Sequence, residues 1–231
     1  MIAVSGATAR KGAERLSDYN NAATLAKLAA AAATTDDAAA AAHSPPPTLA
    51  AVTAATARRL GLRASDEAVA RDVAACIARS DDGTHPSGLP PGVLCRRYEQ
   101  FHAESEVIIP AVFEALERVG RREGGRADEP SLEDLSALVD RSQSLTASHL
   151  RNTLEETEWL PAAARRLGAI AASAFGAGFG GSVWALVRAD EAEDLLARWQ
   201  REYAQAYPER QIDARFFTMA SPAPGACSVV G

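Results

Sequence analysis

At 231 residues the chain is long enough to bury a sizeable core, as one large domain or two small ones. Alanine inflates its 47% apolar fraction, and a net charge of −6 offers no basic footprint for nucleic acid. Cys76, Cys95 and Cys227 lie far apart with no C-x-x-C, which argues against a disulfide framework or a zinc site and for reduced thiols in a cytoplasmic protein.

No apolar run reaches the roughly 18 residues of a membrane span. Met1 leads straight into Ile2-Ala3-Val4 with no basic n-region, so no secretory signal is expected. Ile2-Ala3-Val4-Ser5 reads as a short strand closed by Gly6. From about 9 to 33 the pattern is helical, with Leu16, Tyr19, Ala23 and Leu28 near one face. On residue type alone, Tyr19 is an aromatic at the edge of a core.

Residues 29–42 are low-complexity alanine, with Asp36 and Asp37 as candidate caps for a further short helix. Ser44-Pro45-Pro46-Pro47 stops any helix and makes a stiff connector. Two helices come next, Leu49 to Leu62 and Asp66 to Arg79, and the stretch from Asp81 to Gly92 is a loop by its Gly and Pro content. His43 and His85 fall in these linkers and read as solvated.

From Cys95 to about Val119 one stripe recurs at helical spacing: Tyr98, Phe101, Ser105, Ile108, Val112, Leu116, Val119. Pro110 is expected to kink or split it. His102 sits beside the stripe without metal-ligand company and reads as structural. After a charged loop from Gly120 to Pro130, Ser131 is the expected N-cap of a helix with Leu132, Leu135, Leu138 and Val139 inward, running on through Leu145.

His149 and Glu156 read as polar rim residues. A helix from about Thr157 to Leu167 ends at Gly168. Asp190 to Tyr207 is an amphipathic helix with Leu195, Leu196, Trp199 and Tyr203 inward. Ile212 to Phe217 alternates as a last strand, and Ser221 to Gly231 is a tail. The order strand, strand, helix, strand after a helical block predicts an α+β layer: a small antiparallel sheet with helices on one face.

The most informative stretch is Gly176-Ala177-Gly178-Phe179-Gly180-Gly181-Ser182, set between the apolar runs 169–175 and 183–187. Its glycines free the backbone for φ > 0, and successive N–H groups in such a turn can form an anion-binding concavity. The spacing fits G-x-G-x-x-G, but that fingerprint must open a helix, whereas Val183-Trp184-Ala185-Leu186-Val187 is β-prone. The expected unit is strand, glycine loop, strand. A plain flexible hairpin is the alternative to a phosphate loop. No G-x-x-x-x-G-K-[ST] is present.

Ser173-Ala174-Phe175 with this loop and Val183-Trp184-Ala185-Leu186-Val187 resembles the third motif of the GHMP small-molecule kinases. The bulky Phe179 within the loop is similar to the galactokinase branch. Many members have Thr at the place of Phe175 and Cys at that of Ser182. The resemblance runs from Ile2 to about Phe217. It includes Ile2-Ala3-Val4-Ser5-Gly6, Lys11, Tyr19-Asn20, and Arg97, Glu104 and Ile108 in the helix that opens the family's C-terminal domain.

That resemblance implies a GHMP kinase C-terminal-domain fold preceded by the end of a truncated N-terminal domain. The implied organisation is 1–93 for the remnant and connecting helices, 94–220 for the C-terminal domain, and 221–231 for the tail. It implies that Tyr19 contacts a sugar hydroxyl and that residues 176–182 lie beside the transferring phosphate, with ATP and Mg²⁺ as cofactors. It also implies a reaction at the anomeric hydroxyl of galactose or a related sugar. The family's Gly-Arg-x-Glu-His segment, Ser-rich phosphate loop and Met-Asp-Gln aspartate are absent from this chain. By the resemblance they would precede Met1, in an N-terminal half that could be a separate partner. No catalytic residue and no metal ligand is therefore assigned. The chain alone is expected to lack kinase activity. A non-catalytic, kinase-derived sugar-sensing or regulatory module is the competing reading, and a plain structural α+β domain is a third.

Overall fold

A computed structural model describes residues 1–7, 13–34, 47–81, 88–120, 129–176 and 178–219, with the backbone alone over 13–19, 119–120 and 129–131. The proposed caps Asp36 and Asp37, the proline run 45–46, His43, His85, Cys227 and the tail 221–231 lie outside the described residues. The chain divides into two compact units, Met1–Ala9 with Thr153–Gly231, and Arg10–Asn152.

The first unit is the α+β layer. Its strands are β1 (Ile2–Val4), β2 (Ala171–Phe175), β3 (Ser182–Leu186) and β4 (Arg215–Phe217). They form one antiparallel sheet in the order β2-β3-β1-β4. Ala3 faces Val183 on one side and Phe216 on the other, and Ala172 faces Ala185, so alternate residues share one face.

Helices α7 (Glu155–Arg166) and α8 (Ala192–Ala206) cover that face. Leu160, Ala163, Leu195, Trp199 and Tyr203 pack there against Ala3, Val183 and Ala185. The small strand residues leave room for the aromatics, and Trp199 is wholly buried with its indole N–H donating to the Leu160 carbonyl at 3.1 Å. The start of α7 is fixed by Thr157, whose Oγ1 accepts from the Leu154 amide at 2.8 Å. The last strand is shorter than its alternating pattern suggested, beginning at Arg215, with Ile212 83% exposed.

The second unit holds α1 (Ala13–Ala32), α2 (Leu49–Leu60), α3 (Glu67–Ala78), α4 (Val93–His102), α5 (Ile109–Gly120) and α6 (Glu129–Leu145). The alanine richness of α1 has a packing reason. Ala29 and Ala30 are fully buried against the cluster of Val73, Ile77, Leu94 and Tyr98, and small side chains permit close helix approach. Helix α2 is bounded by Thr48, whose Oγ1 accepts from the Ala51 amide at 3.1 Å, and by Gly61 in the left-handed conformation.

Three further sequence expectations differ from the structure. Helix α6 begins at Glu129, so Ser131 lies within it rather than at its N-cap. The stripe from Tyr98 to Val119 does not run through one regular helix. Residues Ala103–Ile108 form a π-helical segment in which the Ile109 amide bonds back to the Glu104 carbonyl. Each π turn takes in an extra residue and rotates the side chains beyond it. Ala115 is therefore buried, while Leu116 and Phe113 stand 50% and 62% exposed. Pro110, which has no N–H to give, comes just after this change of ladder, near the start of α5. A second π segment, Thr146–Leu150, continues α6 and ends at Arg151 with φ 53°. Glu156, expected on a polar rim, is instead buried, and Arg210 brings both Nε and Nη2 to 2.8 Å from its Oε1. The later helix 192–206 and its connection fold back over that carboxylate, a contact no local pattern announces.

Candidate functional site

Strands β2 and β3 form a hairpin with Phe175 opposite Ser182, and the glycine stretch is its connection. Gly176, Gly178, Gly180 and Gly181 all take positive φ, at 97°, 88°, 129° and 102°. Phe179 takes φ 58° as well, a conformation that costs a non-glycine residue on the order of 1 kcal/mol. Such a run turns successive amides out of the ladder. Among the described residues nothing accepts from the Gly176, Gly180 or Gly181 amides. The Gly181 carbonyl accepts from the Ser5 amide at 3.0 Å, which anchors the far side of the turn to the end of β1. A backbone held this way can present N–H groups to an anion.

The end of β1 is itself tightly held. Ser5 is fully buried, its Oγ accepts from the Ala7 amide at 3.2 Å, and its carbonyl accepts from the Tyr203 hydroxyl at 2.6 Å. Burial, with Glu156 adding, raises the Tyr203 hydroxyl well above the usual tyrosine range, which keeps it a donor. Gly6 has φ 72°, and a Cβ there would lie 2.9 Å from the Ala214 nitrogen and 3.1 Å from the Arg210 carbonyl oxygen. Ser5, Gly6 and Tyr203 thus fix the floor on which the glycine hairpin stands. The Ser-Gly pair after the first strand was visible in the sequence, whereas the role of Tyr203 beneath it was not.

Of the predicted site residues, Gly176, Gly178, Phe179, Gly180, Gly181 and Ser182 come together in this one connection. Ala177 lies outside the described residues. Tyr19 lies on α1, in the other unit, with its backbone alone described. Among the described residues, no group of three or more His, Cys, Asp or Glu side chains is placed to hold a metal ion. Also among them, no helix is long and apolar enough to cross a membrane.

The strain in the turn leads to a test. Gly180 is buried with φ 129°, so Gly180→Ala is expected to destabilise the first unit by about 2 kcal/mol. Gly61→Ala, at an open left-handed cap with no atom within 4 Å of its Cβ, should cost only about 1 kcal/mol. Chemical denaturation of both variants checks the order, and equal losses would mean the turn has no special geometry.

Fold and site together define a two-layer α+β domain with a glycine-built hairpin turn projecting amides. Residues 113–205, from α5 to α8 and including that turn, match the family model for GHMP kinases, C terminal. No curated protein matches the chain.

Proposed function

We propose that the protein contributes the C-terminal part of an ATP-dependent sugar kinase of the galactokinase type, acting on the anomeric hydroxyl of galactose or a related sugar. One observation carries the reading: the left-handed glycine turn lies inside the stretch that matches the GHMP kinase C-terminal family. Phosphoryl transfer depends on positioning and on stabilising charge on the transferred group, and unpaired turn amides supply fixed donors for that charge. Mg²⁺ would serve by neutralising the nucleotide's phosphates. No metal cage of side chains stands among the described residues, and this chain's own part is the amides of Gly176, Gly180 and Gly181. Tyr19 is the residue proposed to contact a sugar hydroxyl. The base that would deprotonate that hydroxyl is proposed to come from an N-terminal half.

The test is calorimetry joined to a coupled assay. The chain is expected to bind MgATP weakly and to show negligible turnover with galactose. Gly180→Ala should abolish the nucleotide signal, and Tyr19→Phe should weaken galactose alone. Normal turnover by the isolated chain would overturn the division of labour. Absence of both nucleotide and sugar binding would remove the kinase reading.

A further inference from the structure

A cavity of about 540 Å³ lies within the helical unit, walled by α3, α4, α6 and both π segments. It shares no residue with the glycine hairpin. Its volume is in the range of small-molecule sites. Tyr98, Ala103, Val107 and Leu145 give it an apolar lining. The walls are braced across the unit: the Ser142 hydroxyl donates to Glu104 at 2.9 Å, and His149 Nε2 lies 3.3 Å from Glu99 Oε2. π turns are uncommon and concentrate at functional sites, and here two border one cavity.

Three residues in the lining keep hydrogen-bonding or charge capacity unused among the described residues. His102 is 7% exposed, and its Nε2 lies 2.8 Å from the Ala64 carbonyl oxygen. A carbonyl only accepts, so Nε2 carries the hydrogen, and in the neutral ring Nδ1 is an acceptor. Nothing among the described residues donates to it. Arg141 and Glu67 also line the cavity. Neither has a hydrogen-bond or ion-pair partner among the described residues, and they do not pair with each other. One cavity therefore offers a free cation, a free carboxylate, a buried acceptor and an apolar lining between them.

We propose that this cavity binds a small zwitterion with an apolar side chain, an α-amino acid. Its carboxylate meets the Arg141 guanidinium. Its ammonium donates to Glu67, with His102 Nδ1 as a further acceptor. Its side chain lies along Val107 and Leu145. A simple anion would face Glu67 unpaired, and a simple cation would face Arg141, whereas a zwitterion satisfies both.

The experiment is a ¹H–¹⁵N titration of the full chain with L-phenylalanine and L-leucine, with 3-phenylpropionate and phenethylamine as single-charge controls. Saturable shifts are expected at amides of 65–70, 98–107 and 141–149. Each control should bind about tenfold more weakly or worse, as should L-phenylalanine to Arg141→Gln and to Glu67→Gln. Both substituted side chains are exposed, so the thermal midpoint should stay in place. No shift with either amino acid at about 10 mM would overturn the proposal. So would a control binding as tightly as L-phenylalanine, or undiminished binding to both variants.

Discussion

Gly6→Ala is expected to destabilise the sheet unit by about 3 kcal/mol or more, adding the left-handed penalty to a clash that cannot relax cheaply. The obstructing atoms are the Ala214 nitrogen at 2.9 Å and the Arg210 carbonyl oxygen at 3.1 Å, both backbone. That backbone is fixed in turn, because Arg210 is held to the buried Glu156. Relief would have to displace either β1 or the connection before β4. Displacing β1 would also break the bonds of Ser5 to Tyr203 and to Gly181, on which the glycine hairpin rests. The measurement is convenient because Trp159, Trp184 and Trp199 all belong to the sheet unit. Denaturation followed by tryptophan fluorescence reports that unit alone, with far-ultraviolet dichroism weighted to the helices of both. Coincident wild-type and variant fluorescence curves would refute the close approach.

Trp199→Ala is expected to cost about 3–5 kcal/mol, the range for emptying the space of a buried large aromatic. Trp199 is fully buried and meets the Phe216 ring edge-on at 5.4 Å between centroids. Its loss also leaves the Leu160 carbonyl without the indole donor. Trp199→Phe should recover part of the loss by refilling the volume without the donor. The two variants separate packing from hydrogen bonding. Equal stability of the two would show that the cavity collapses freely. A loss below about 1 kcal/mol for the alanine variant would contradict the core assigned here.

The sequence carried the sheet well because its signals are local. Glycines flanked by β-prone runs dictate a hairpin whatever surrounds them, and Leu195, Trp199 and Tyr203 at helical spacing dictate a buried face. Other features depend on distant partners. Glu156 looks like a rim residue until Arg210 arrives from 54 positions away. Leu116 belongs to a regular stripe only if every turn holds 3.6 residues, and the π segment at Ala103–Ile108 breaks that assumption. No residue-level rule marks where a helix will take in an extra residue. Tyr19 was singled out by resemblance alone. The helical cavity was invisible for a related reason: Glu67, His102 and Arg141 come from three helical stretches with no shared motif.

The connectivity also sets an order of events during synthesis. Strand β1 pairs with residues 182–184 and 215–217, and its Ser5 carbonyl meets a hydroxyl 198 positions later. The helices of Arg10–Asn152 are complete long before those partners leave the ribosome. For that interval an apolar strand end waits unpaired, and its closure is a long-range step of the kind that slows folding. Chaperone demand and aggregation during expression should therefore track this waiting segment rather than the helical unit, which closes on itself.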